Sequence, residues 1–64
     1  MKFEIYQVGK LPPLTVVESD SWELVFDNVP RIKFYNIEEH SRPIVAEFIL
    51  SNIAGFKKVG ADNG

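Results

Sequence analysis

The feature that most constrains the fold of this chain is a change of hydrophobic period near residue 40. Residues 2–37 alternate apolar and polar side chains in short runs, whereas residues 43–56 repeat apolar positions every three or four residues. Alternation is typical of half-buried strands, and the second repeat is typical of an amphipathic helix. The sequence therefore predicts strands followed by one C-terminal helix.

The clearest strand signal is a hairpin within residues 22–36, in which two alternating runs flank the turn residues Asn28, Val29 and Pro30. Earlier alternating runs around Phe3 and Leu14 predict two more strands, so we expect a four-stranded antiparallel meander. A turn at residues 28–30 sets a register that pairs apolar with apolar and acid with base. Its pairs are Phe26 with Ile32, Leu24 with Phe34, and Asp27 with Arg31.

The predicted helix runs from about Arg42 to Ala54, with Ser41 as its N-cap and Gly55 at its end. Pro43 is acceptable only in the first turn, because a proline inside a helix lacks the donor that the helix needs. An earlier start, with Asn36 as the cap, would place Pro43 inside the helix. We therefore expect a short separate turn at residues 37–40.

The predicted fold is α+β: a single domain at residues 1–59, with the helix packed on one face of the meander, and a flexible tail at residues 60–64. The alternative is a small SH3-like or OB-like barrel that carries the same helix. Both versions bury the same side chains. These are Phe3, Ile5, Leu14, Val16, Trp22, Leu24, Phe26, Ile32 and Phe34 from the strands, and Val45, Ala46, Ile49, Leu50, Ile53 and Phe56 from the helix.

Two apolar residues of the predicted helix, Ile44 and Phe48, lie off its core-facing stripe. Either a curved sheet wraps around the helix and covers them, or they contact a second copy or another partner. They are therefore candidates for a second interface or a homodimer interface.

Composition narrows the functional classes. A chain of 64 residues with no Cys and a net charge of −2 has no disulfide scaffold or thiolate chemistry, and lacks the positive field that most nucleic-acid binders use. The acidic Glu4 interrupts the start of the chain where a signal peptide needs an apolar run, and no apolar stretch reaches the ~20 residues that span a bilayer. We expect a cytoplasmic protein without membrane association.

Candidate catalytic and metal-binding groups are local rather than convergent. The one histidine, His40, adjoins Glu38 and Glu39, but neighbours in a turn point in different directions, whereas acid-base catalysis needs groups that meet at about 3 Å. The acidic residues between 18 and 23 lack the spacing of a calcium loop, and no phosphate-binding motif is present. The sequence predicts no enzyme activity, no metal and no cofactor.

The sheet face opposite the predicted helix is the better candidate for function, because it mixes tyrosines, valines and both charges, as protein interfaces do. We expect a small non-catalytic protein-binding module, an inhibitor or adaptor of the kind common among accessory proteins of phage and other mobile elements. The sheet face opposite the predicted helix contains Lys2, Glu4, Tyr6, Val8, Thr15, Val17, Glu23, Val25, Asp27, Arg31, Lys33 and Tyr35. The expected contacts on this face are Tyr6, Val25, Arg31, Lys33 and Tyr35.

The alternative function is binding of single-stranded nucleic acid by the same face. Lys2, Arg31 and Lys33 would contact phosphates while Tyr6 and Tyr35 stack on bases. The order of four strands and one helix also resembles that of small single-stranded-DNA-binding domains, although no motif matches. Neighbouring carboxylates weaken the positive field, so protein binding is the preferred prediction.

Overall fold

The computed structural model describes residues 1–60, and the described chain forms six β-strands and no α-helix. Every neighbouring pair is antiparallel, and the strands form two sheets: sheet A in the order β2-β1-β6 and sheet B in the order β3-β4-β5. The elements are β1 (Lys2–Gln7), β2 (Leu14–Glu18), β3 (Ser21–Val25), β4 (Arg31–Tyr35), β5 (Ile44–Ile49), a 3₁₀ turn (Leu50–Asn52) and β6 (Ile53–Val59).

The predicted C-terminal helix is wrong, and with it the α+β class and both predicted versions of the fold. The segment forms β5 and β6 instead, paired with β4 and β1, the central strands of the two sheets. Short apolar runs fit both a helix and a strand, so periodicity alone does not separate them. The β-branched residues Ile44, Val45 and Ile49 favour the strand, where their stiff side chains pack against neighbours on the sheet.

The 3₁₀ turn carries the chain from sheet B to sheet A. The Leu50 amide donates to the Pro30 carbonyl at 3.0 Å, and the Val8 amide donates to the Asn52 carbonyl at 2.9 Å. These bonds satisfy backbone groups at the corner, which lie outside the strand ladders. The corner is therefore hydrogen-bonded to the β3–β4 loop of sheet B and to the β1–β2 loop of sheet A.

The predicted β3–β4 hairpin is present, but its register differs by two residues. Trp22 lies opposite Phe34 and Leu24 opposite Ile32, because the connection spans residues 26–30 rather than the three residues expected. Pro30 has no amide to donate to the ladder, which favours the longer loop. An even shift keeps each side chain on its predicted face.

The first two strands pair as predicted, but β2 turns the other face to the core. Val17 lies opposite Phe3 and is buried, whereas Leu14 and Val16, which were predicted to be buried, are exposed. A shift of one residue reverses every side chain of a strand. The number of residues in the loop between β1 and β2 sets this register, and the alternating pattern of the two strands does not reveal that number.

The core is one layer of side chains between the two sheets. Ring contacts cross this layer: Phe3 and Phe34 lie with centroids 5.1 Å apart, and Trp22 and Phe56 lie 5.0 Å apart in an edge-on arrangement. Such tilted geometries are favourable for aromatic pairs. The buried residues are Phe3, Ile5, Val17, Ile32 and Phe34, with Ala46, Phe48, Leu50, Ile53 and Phe56 packed around them.

Several residues predicted for the core are exposed instead. On β3, Trp22 and Leu24 are 40% and 44% exposed, and Phe26, just beyond it, is 71% exposed. On β5, Val45 and Ile49 are also exposed. β3 lies at a sheet edge, where the facing sheet covers its inner side chains incompletely. On β5 the reason differs, because Ile49 lies opposite Arg31 on the outer face and Val45 is the extra residue at the bulge.

Residues 61–64 of the predicted tail lie outside the described residues. In residues 1–60 we find no helix with the length and apolar character needed to cross a membrane.

Candidate functional site

The candidate site is the solvent-facing side of sheet B. Side chains alternate along a strand, so Lys33 between the buried Ile32 and Phe34, and Arg31 and Tyr35 on either side of them, point away from the core. We call this face the sheet B surface. It consists of Glu23 and Val25 from β3, Arg31, Lys33 and Tyr35 from β4, Glu47 and Ile49 from β5, and Arg42 and Ile44 at its border.

Charged residues form an ordered row across the three strands of this surface. Lys33 in the central strand lies opposite Glu23 on one side and Glu47 on the other. Opposite charges directly across a ladder stabilise the pairing, so this row supports the observed register. The charges therefore alternate in sign across the middle of the surface, which carries no extended patch of one charge.

Arg31 occupies the next row and is held by two carboxylates. Its guanidinium lies 2.8 Å from Asp27 Oδ2 and 2.9 Å from Glu47 Oε2, and the side chain is 30% exposed. Two ion pairs fix the planar group against the sheet, because its fork of donors is engaged on both sides. The predicted pairing of Asp27 opposite Arg31 in the ladder is wrong, because Val25 lies opposite Arg31, but the two side chains still form an ion pair across the loop.

A shallow hollow of about 130 Å³ lies on the same surface. Its volume is below the roughly 300 Å³ at which small-molecule pockets begin, and it suits one side chain of a partner better than a whole ligand. The hollow combines two cations, one carboxylate, an aromatic ring and an aliphatic side chain. It is lined by Glu23, Lys33, Tyr35, Arg42 and Ile44.

The five predicted contact residues do not all share this surface. Val25, Arg31, Lys33 and Tyr35 lie on the sheet B surface, whereas Tyr6 lies on the outer face of sheet A, on the other side of the core. The single outer face that the sequence predicted therefore corresponds to two faces that point in opposite directions. The cause is that the first two strands and the hairpin belong to different sheets.

Tyr6 makes its own local contacts on sheet A. Its hydroxyl donates to Glu4 Oε1 at 2.8 Å, and Lys57 Nζ lies 3.9 Å from the same oxygen. The hydrogen bond to Glu4, with smaller contributions from desolvation and from the carboxylate charge, raises the pKa of Tyr6 above its usual value. The phenol is therefore held in its neutral form as a donor.

The residues predicted as a second interface are also separated. Ile44 is 54% exposed and lines the hollow, whereas Phe48 faces the core, with its ring centroid 6.0 Å from that of Phe34. The bulge between Phe34 and Tyr35 in the pairing of β4 with β5 contributes to this separation. The two residues do not form one patch.

The residues of the nucleic-acid alternative are divided in the same way. Lys2 and Tyr6 lie on sheet A, whereas Arg31, Lys33 and Tyr35 lie on sheet B, so the five do not form one track for a strand. Arg31 is also already paired with two carboxylates, which compete with a phosphate for its donors.

The acidic cluster around the histidine lies in the loop between β4 and β5. His40 Nε2 lies 3.8 Å from Glu39 Oε2, and both side chains are 89% exposed, while Ser41 donates to Glu38 at 3.3 Å. Within residues 1–60, no three His, Cys, Asp or Glu side chains are arranged to hold a metal ion. Asp20, in the other acidic group, accepts the Ile37 amide at 2.8 Å and so connects two loops.

Sequence reasoning missed three members of the sheet B surface: Arg42, Glu47 and Ile49. All three fell within the segment interpreted as a helix, where they were not considered together with β4. A signal was present, because Glu47 stands between Ala46 and Phe48 in an alternating pattern. The strand interpretation of residues 44–49 would have placed Glu47 and Ile49 on the outer face.

No protein-family model matches the chain, and neither the curated proteins nor the solved structures include a significant match. The class of protein is therefore defined by its architecture: two three-stranded antiparallel sheets that enclose one layer of side chains.

Proposed function

We propose that this chain is a small non-catalytic protein-binding module that docks its partner on the sheet B surface. The observation that carries the proposal is the combination of exposed apolar side chains with a neutralised charge pattern on one face. Ile44 and Ile49 are 54% and 42% exposed there, beside the half-buried Val25 and Tyr35. Aromatic and apolar groups with arginine are typical of the centre of protein interfaces.

The hollow gives this surface a place for an anchoring side chain. Lys33 and Arg42 outnumber Glu23 among its charged groups, and Tyr35 and Ile44 supply apolar walls. A partner residue that combines an apolar stem with a carboxylate fits this chemistry. An inhibitor or adaptor role, a phage or mobile-element setting and a cytoplasmic location remain predictions from the sequence.

The test is affinity capture with the full chain, with and without nuclease, followed by a binding assay against the captured protein. The double variant Lys33→Ala/Tyr35→Ala should weaken binding at least about tenfold, because central aromatic and charged contacts dominate interface energies. A matched double variant on sheet A, Val16→Ala/Lys57→Ala, should bind as the parent does. Circular dichroism of both variants checks that they fold.

Equal affinity of the parent and the Lys33→Ala/Tyr35→Ala variant would contradict the proposed surface. Nucleic acid recovered in place of a stoichiometric protein, and lost in moderate salt, would contradict protein binding and favour the nucleic-acid alternative. Protein contacts through Tyr35 and Val25 should depend on salt much less.

A further inference from the structure

We propose that the chain forms a two-fold symmetric dimer in which β3 pairs antiparallel with β3 of a second copy. The two B sheets then join into one sheet of six strands. The inference concerns self-association, and it does not depend on the partner proposed above. It rests on the unpaired edge of β3, on the apolar side chains beside that edge, and on the charges along it.

The edge of β3 has no proline, lysine or bulge in the strand or directly beside it, whereas each of the other three edges has at least one of these. Unpaired strand edges are usually blunted by lysines, prolines or bulges, because their free backbone groups recruit another strand. Ser21–Val25 contains no lysine or proline and runs in unbroken register with β4. The other edges have Pro12 and Pro13 before β2, Pro43 and a pairing bulge for β5, and Lys57, Lys58 and a pairing bulge for β6.

An apolar stripe accompanies this edge. Trp22 and Leu24 face the core side of sheet B but stay 40% and 44% exposed, and Phe26, which continues the alternation, is 71% exposed. Water therefore contacts side chains that belong to the core layer. A strand added beside β3 would extend the sheet over this position and cover all three.

The charges on β3 select both the partner and the register. Directly opposite residues of antiparallel strands share a face, so a symmetric pair must centre on one residue of β3. Centring on Ser21 or Trp22 places the apolar Leu24 opposite Glu18 or Asp20. Centring on Glu23 places two Glu23 carboxylates opposite each other, and centring on Val25 places Glu23 opposite Asp27. Both arrangements bring like charges together.

Only the pair centred on Leu24 both avoids this repulsion and keeps the apolar stripe away from carboxylates. It places Leu24 opposite Leu24 of the second copy, and Trp22 opposite Phe26 at both ends, so that the apolar stripe pairs with itself. On the outer face Glu23 meets Val25, behind which lies Arg31. The edge is thus self-complementary in one register, which identifies a second copy as its occupant.

The first experiment is disulfide trapping, which is clean because the chain contains no cysteine. In the proposed register the two Leu24 Cα atoms lie about 5 Å apart, within the range of a disulfide. The Leu24→Cys variant should therefore oxidise to a covalent dimer. Glu23→Cys should not, since its two Cα atoms would lie roughly 8 Å apart, and Val16→Cys, on the β2 edge, serves as a second control.

The second experiment measures the association of the unmodified chain by sedimentation equilibrium over a range of concentrations. The parent should approach twice its monomer mass, with a blue shift of the emission of Trp22, the one tryptophan. Leu24→Lys places two cations opposite each other and should raise the dissociation constant at least about thirtyfold.

Three outcomes would overturn the proposal. One is a parent chain that stays monomeric at every concentration, which would leave the edge to a different partner. Another is equal trapping of the Leu24→Cys and Val16→Cys variants, which would indicate random collision. The third is efficient trapping through Glu23→Cys but not through Leu24→Cys, which would show a different register.

Discussion

The two tyrosines illustrate how far a single residue's role depends on its sheet. Tyr6 and Tyr35 both belong to alternating strands, and the sequence assigned them to one surface. In the structure Tyr35 borders a hollow between two cations, whereas Tyr6 donates its hydroxyl to Glu4 on the opposite side of the molecule. Residue type predicted that both would be partly exposed, but the division of the strands into two sheets decided what each contacts.

The raised pKa of Tyr6 leads to a prediction at this scale. Glu4→Ala removes the hydrogen bond and the nearby charge, so the pKa of Tyr6 should fall toward about 10. An NMR titration of the Tyr6 ring measures this change. Lys57→Gln leaves the Glu4 acceptor in place and serves as the control. A Tyr6 titration that is the same in Glu4→Ala as in the parent would contradict the assigned cause.

The direction of the linked stability effect follows from the same hydrogen bond. The pKa of Tyr6 is higher in the folded chain than in the unfolded chain, so its contribution to stability is fully present below about pH 10. That contribution is lost as the pH rises through the folded-state pKa. In Glu4→Ala, stability should therefore depend less on pH in this alkaline range.

At the scale of elements, β5 shows where local pattern and tertiary structure disagree. Residues 44–49 satisfy a helical repeat, yet they form a strand because β4 offers an edge whose Ile32 and Phe34 pair with Phe48 and Ala46. Pairing with a distant strand is not visible in a local window. A capping serine, a proline in the first turn and a closing glycine agreed with the helix, but tertiary pairing outweighed them.

The strand assignment of β5 can be tested by the sign of one stability change. Ile44 is 54% exposed and also lies off the core-facing stripe of the predicted helix, so its replacement leaves little cavity in either structure. In a helix Ile44→Ala would raise the free energy of unfolding by about 0.5 kcal/mol, whereas in a strand it should lower it by about 0.5–1 kcal/mol. Urea denaturation measures the difference. Ile44→Val keeps the branched side chain and should change stability less, and an increase in Ile44→Ala would argue for the helix.

For the whole molecule, the sequence predicted about half of the architecture. The strands β1 to β4 and their antiparallel pairing within β1–β2 and β3–β4 are confirmed, because alternation and turn residues are local signals. The split into two sheets was missed, since only two residues, Ser19 and Asp20, separate β2 from β3. Of the candidate site, Val25, Arg31, Lys33 and Tyr35 are found on one surface. The residues that β5 adds to it, Glu47 and Ile49, were missed because their segment was interpreted as a helix.

Because the two sheets share one layer of core side chains, the whole chain should unfold in a single step. Trp22 of sheet B contacts Phe56 of sheet A, so its fluorescence reports the contact between sheets, while far-ultraviolet circular dichroism reports the strands. The two denaturation curves should coincide at a concentration low enough to keep the chain monomeric. An earlier fluorescence transition would mean that the sheets separate before they unfold.

The single-layer core also divides the mutational tolerance of β4 residue by residue. Ile32 and Phe34 are fully buried, while Arg31, Lys33 and Tyr35 between and beside them face outward. A library of β4 variants selected only for folding should reject changes at the first pair and accept many at the other three. A selection for the proposed binding should reject many substitutions at those three positions as well. The residues that change together with the partner would then be every second residue of this strand.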